Sequence, residues 1–205
     1  MTSTESARSA DEAATAAWSR RVRRVGGFIQ VGFAAFWLLR GSANIANPAG
    51  VVLALVFTAT VVVVVTYGVR VTAGQAPRPT SPEGRHLERA ITVATVIQLV
   101  ASFAVPAAVI AAGQSDWVLP SIAVTIGPLL LWLDHRVDIP RYRAVGSILV
   151  IGPIVLAAAM SGPSLAATCG IAAGALLLAT ATAGFHDLAV LRDSTGGLRA
   201  GGRAR

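Results

Sequence analysis

Apolar residues in this chain come in unbroken runs, not at every second position. Six runs stand out: Val25–Gly41, Ala49–Val69, Ala90–Ala112, Trp117–Leu133, Ala144–Met160 and Leu165–Phe185. Each approaches the roughly 17–25 residues that carry a helix across the hydrocarbon core. Strands of a membrane barrel would instead alternate in segments of about ten residues. The pattern therefore predicts an all-α polytopic membrane protein, a bundle of about six transmembrane helices. The first, fourth and fifth runs are short, so they are expected to end in the headgroups or to cross without tilt. Residues 1–24 are polar and end in the basic collar Arg20-Arg21-Val22-Arg23-Arg24, and they are expected to be disordered, with a short helix at most. Residues 25–190 form the predicted six-helix domain. Residues 191–205 are expected to be a flexible basic tail.

Composition removes the soluble alternative. Of the 205 residues, 54% are hydrophobic and only 13% charged, too few charges to cover a water-facing surface. The net charge of +7 would suggest nucleic acid in a soluble domain. Here the arginines lie between the apolar runs, which points to membrane orientation and excludes nucleic acid as the expected partner. The collar, the segments Arg70–Arg89 and Asp134–Arg143, and the tail from Arg192 are rich in arginine. The connections Ser42–Pro48, Gly113–Asp116 and Ser161–Ser164 contain none. Cytoplasmic loops accumulate basic residues, so the alternation predicts both termini on the cytoplasmic side. The expected location is a bacterial inner membrane, with anionic lipid headgroups around the cytoplasmic arginines. No cleavable leader is expected, because a polar stretch precedes the first apolar run and no A-x-A site follows it. Trp117, Trp132, Tyr67 and Phe185 stand at run ends, where interfacial aromatics are expected.

Polar groups inside the runs are the candidates for function. Gly26, Gln30, Phe33, Trp37, Arg40 and Asn44 fall on one stripe of the first helix. A polar stripe in a bilayer should face the bundle interior, and Gln98 lies at a depth similar to Gln30. Either these groups line a path for a small solute, or they bond helices together. The fourth and fifth runs carry similar blocks at mid-depth, Ile126-Gly127-Pro128 and Ile151-Gly152-Pro153. Proline frees a carbonyl, and matched interruptions can mark a transporter site. The sharpest expectation is one polar pocket holding Gln30, Gln98, Gly127, Pro128, Gly152 and Pro153. Its alternative is a pair of dry packing kinks.

Arg40 and Asp116 are the only charges expected on the outer side. Arg40 either snorkels or pairs with Asp116. His86, His135 and His186 each lie beside an acid. Converging, they could bind a metal, but no pair has the i, i+4 spacing of a helical site. Solvated residues are the expected reading. Gly170-x-x-x-Gly174 would allow close helix packing, and Cys169 reads as a small packing residue. No catalytic motif is present, no acid or histidine lies inside the runs, and no cofactor is implied.

The stretch Trp117-Val-Leu-Pro120-Ser-Ile122, Gly127, Ile139-Pro140-Arg-Tyr142 and Gly146 resembles a group of uncharacterised bacterial multi-pass membrane proteins. Their pattern is W-x-x-P, a glycine, H-F-x-P-L-A, then P-x-Y and a glycine. The similarity covers about a quarter of the chain. It departs at the His-Phe pair, since Pro128-Leu129 follows Gly127 here. The resemblance implies a membrane bundle of six to seven helices and no particular activity. Two functional classes remain: a small-solute or ion translocator or its membrane subunit, and a non-catalytic interaction or scaffold protein. A hydrated cavity would favour the first, a filled core the second.

Overall fold

A computed structural model describes residues 3–46, 48–73, 82–137 and 139–201. Side chains are described between Arg20 and Leu191, apart from Val22, Asn47, 74–84, His86, Leu87 and 137–138. Each apolar run lies in a helix, and among the described residues there is no strand. The helices are α1 (Ser3–Ser42), α2 (Pro48–Thr72), α3 (Pro82–Ala111), α4 (Val118–Val137), α5 (Pro140–Ala159) and α6 (Gly162–Gly201), with a 3₁₀ turn at Ser115–Trp117 before α4. Proline opens α2, α3 and α5, where its missing N–H costs no helix bond and its fixed φ suits the first turn. Gly113 and Gly162 have φ of 74° and 64°, which lets the chain reverse tightly before the 3₁₀ turn and before α6.

Among the described residues, five helical stretches are long and apolar enough to cross a membrane: Pro48–Thr72, Glu88–Ala111, Ser115–Arg136, Pro140–Ala159 and Gly162–Leu191. The apolar part of α1 is not among them, because arginines at positions 24 and 40 confine it. The surface fits lipid. Large apolar side chains such as Val51, Leu55, Val63, Ile97, Phe103 and Val155 are more than half exposed. Thr58, Thr60 and Thr66 on exposed faces of α2 donate to the carbonyls of Ala54, Val56 and Val62 at 2.7–2.8 Å. Hydroxyls satisfied by their own helix need no water.

Two boundaries differ from the expected ones. The segment 1–24, expected to be disordered, is helical from Ser3, and α6 runs on to Gly201 through the tail expected to be flexible. Alanine, glutamate and arginine between Ser3 and Arg24 are good helix formers with no proline among them. In the tail the helix carries through Gly196-Gly197 despite their low propensity.

Helix α1 organises the packing. It crosses α6 at a glycine seam. A Cβ on Gly170 would stand 2.7 Å from the Gly41 Cα, and one on Gly174 would stand 3.0 Å from the Ala34 carbonyl oxygen. The G-x-x-x-G spacing thus marks a real close approach. Phe185, expected at an interface, is fully buried, with its ring 2.7 Å from where Cβ atoms on Gly27 and Gly68 would be. Two missing side chains make its socket. α2 packs on α1 and α6, α4 packs on α5 and α3, and α3 barely touches α1.

Candidate functional site

The gap between α1 and α3 is a cleft of about 190 Å³, floored by α4 and reached by Tyr142 of α5 and Leu177 of α6. Arg21 and Glu88 stand at one end of it, 3.8 Å apart. Val25, Ile29, Phe33, Ile91, Ile126 and Leu130 supply apolar walls. Gln30 and Gln98 lie deeper, with only 7% and 6% exposure. Gln30 is nine positions beyond Arg21, and Gln98 ten beyond Glu88. At ~1.5 Å per residue, both amides sit about 14–15 Å below the ion pair. That is about half the thickness of a hydrocarbon core.

The hydrogen bonding of the cleft is mostly committed. Thr92 and Thr95 donate to Glu88 and Ile91 carbonyls at 2.8 Å. The Gln98 amide nitrogen donates to Ser102 Oγ at 2.9 Å, and Ser102 reaches Thr125 Oγ1 at 3.3 Å. This chain ties α3 to α4 just beyond the deep end of the cleft. Gln30 faces the Tyr142 side chain, whose hydroxyl also packs on Gly26. The sequence pointed to Gln30 and Gln98 by depth, and the structure brings both to one cavity. It did not point to Tyr142, which lies at a helix start and was singled out only as part of a resemblance.

The two Ile-Gly-Pro blocks are elsewhere. Gly127 packs on α5 at Gly146, where an added Cβ would stand 2.7 Å from the carbonyl oxygen. Pro128 is exposed. Gly152 and Pro153 line a separate groove of about 150 Å³ against Cys169, Ala173 and Leu176 of α6. The expected pocket uniting the glutamines with Gly127, Pro128, Gly152 and Pro153 therefore does not form. A shared depth in sequence says nothing about rotation around each helix axis, and α4 turns Gly127 toward Gly146, not toward Gly152. The support those blocks lent to a translocator is lost with that pocket.

Of the two readings of Arg40, the pair with Asp116 is not made among the described residues. Arg40 is exposed at the end of α1, and its carbonyl accepts the Asn44 amide at 2.7 Å. Asp116 instead accepts the Gly162 backbone N–H at 3.1 Å, a carboxylate at the N-terminus of α6. The inward stripe of α1 holds from Gly26 to Trp37, which is fully buried, and ends before Arg40.

The arginine-rich end carries a different cluster. Asp187 of α6 accepts from Arg23 of α1 at 3.1 Å and from Arg141 of α5. One carboxylate thus staples three helices. Arg23 Nε and Arg141 Nη1 are buried without a partner. Beside them a hollow of about 10 Å³, lined also by Gln30, Tyr142 and Thr180, is about the least space that admits one water. Asp134, nearly buried, accepts from Arg143 Nε at 2.9 Å. His135 and His186 are exposed, and the His86 side chain lies outside the described residues. Among the described residues no three His, Cys, Asp or Glu side chains could hold a metal together. No family model, curated protein or solved structure matches the chain.

Proposed function

We propose that this chain is a small-solute translocator or the membrane subunit of one, with its solute held in the α1–α3–α4 cleft. The observation that carries the reading is the convergence of two buried glutamines from separate helices on one cavity. Buried amides normally find partners in the protein; here the cavity leaves part of their capacity free. Among the described residues that line the cleft, Arg21 and Glu88 at its mouth are the only charges, which favours an uncharged solute over an ion. In this reading the arginine-rich end is cytoplasmic, the membrane is a bacterial inner membrane, and anionic headgroups gather around Arg20, Arg21, Arg24 and Arg89. The scaffold alternative would be better served by a filled core.

Thiol probing in oriented vesicles tests both topology and access, in a Cys169→Ala background. Ser161→Cys should react with an impermeant reagent from outside, and His135→Cys only from the cytoplasmic side. Gln98→Cys should react from the cytoplasmic side and, more slowly, from outside, since a carrier must expose its site to both. Reaction from one side alone would leave a binding protein that does not translocate. Reaction from neither would remove the proposal.

A further inference from the structure

We infer that the cleft selects an uncharged, mainly apolar molecule about the size of one six-membered ring, bearing a single hydrogen-bonding group such as a phenol hydroxyl or a ring carbonyl. This inference rests on the reading of the cleft as a solute site, and it adds the solute's chemistry.

Size comes first. An apolar cavity of about 150 Å³ takes up benzene, and this cleft measures about 190 Å³. It has room for one ring and a substituent, not for a nucleotide or a sugar chain. Charge comes next. Arg21 and Glu88 neutralise each other at the mouth, and among the described residues no other acid or base lines the cleft apart from the Tyr142 phenol. Arg23 and Arg141 lie behind Gln30 and Tyr142, outside the cleft lining, and share the Asp187 carboxylate, so a carboxylate or ammonium moved past the mouth would lose its hydration without a countercharge in the cleft wall itself.

Hydrogen bonding then fixes the polar group. The threonine hydroxyls are spent on their own helix. One Gln98 donor is spent on Ser102. A glutamine amide has two donors and a carbonyl oxygen, so among the described residues Gln98 keeps a donor and an acceptor, and Gln30 shares part of its amide with Tyr142. That set, at the deep end of apolar walls, matches one neutral hydroxyl or carbonyl. Access is lateral as well as axial. Val25 and Ile29 line the cleft and are 47% and 43% exposed, so the α1 wall is open, and in this reading an apolar solute enters from the bilayer.

The test uses full-length protein in lipid nanodiscs, with ¹⁹F NMR of 4-fluorophenol, fluorobenzene and 4-fluorobenzoate at pH 7 against empty nanodiscs. 4-Fluorophenol should bind saturably. Thr95→Phe and Ile91→Trp, two independent fillings from α3, should each abolish that binding; thermal unfolding identifies a filling that fails to fold. Gln98→Leu and Gln30→Leu should each weaken it about fivefold, the loss of one hydrogen bond. Fluorobenzene should bind about fivefold more weakly than the phenol and ignore both glutamine substitutions. 4-Fluorobenzoate should not bind. Saturable benzoate binding abolished by the fillings, or phenol binding indifferent to both glutamine variants, would overturn the assigned chemistry while leaving the cleft as a solute site. Probe signals that are not saturable, or that neither folded filling variant alters, would overturn the solute site itself.

Discussion

The two sides of α1 are built on opposite rules. Toward α6, glycines at positions 41, 170 and 174 bring backbones together until no Cβ would fit. Toward α3, the same helix presents Val25, Ile29, Gln30 and Phe33, and a cavity persists. Lipid is as apolar as the helices, so burial alone does not close a gap in a membrane; close van der Waals contact does. Small residues permit that contact, and branched or amide side chains hold the helices apart. The seam is thus closed by backbone contact, and the cleft stays open.

The sharpest way to break this comparison is to put a side chain into the seam. Gly170→Val should destabilise the protein by about 3 kcal/mol, because its Cβ meets the Gly41 backbone and neither helix can give way. Thermal unfolding in detergent measures it. A loss below about 1 kcal/mol would mean that the seam is no tighter than the cleft.

The charged staple comes next. Asp187→Asn leaves Arg23 and Arg141 facing each other without their shared carboxylate. Since all three groups are about a quarter to a third exposed, solvent screens part of the effect, and a loss of about 1–2 kcal/mol is expected. Adding Arg141→Ala should recover part of that loss, as removal of one of two unpaired charges must. Strictly additive losses would show that the staple does not couple α5 to α6.

The smallest effect has the opposite sign. Gly32 lies on an exposed face of α1, and a Cβ there meets nothing within 4 Å. Gly32→Ala should raise stability by about 0.5–1 kcal/mol through lower unfolded-state entropy and better helix propensity. A loss like that at Gly170 would mean that α1 tolerates no added side chain on any face.

Sequence alone determined the helical class, the approximate ends of the apolar runs and the depth of Gln30 and Gln98, because length, hydropathy and axial rise are properties of one helix at a time. It also marked Gly170 and Gly174 as contact residues, since their spacing places both on one face. Only the tertiary structure decided which face meets which neighbour. Rotation about each axis and the choice of neighbour sent Gly127 to Gly146 and left Pro128 exposed, placed Pro153 against α6, buried Phe185 in two glycine sockets and gave Asp116 to the start of α6 in place of Arg40. Tyr142 and Asp187 became parts of a site in the same way. Their importance rests on what two other helices bring to them, and no periodicity along α5 or α6 encodes it.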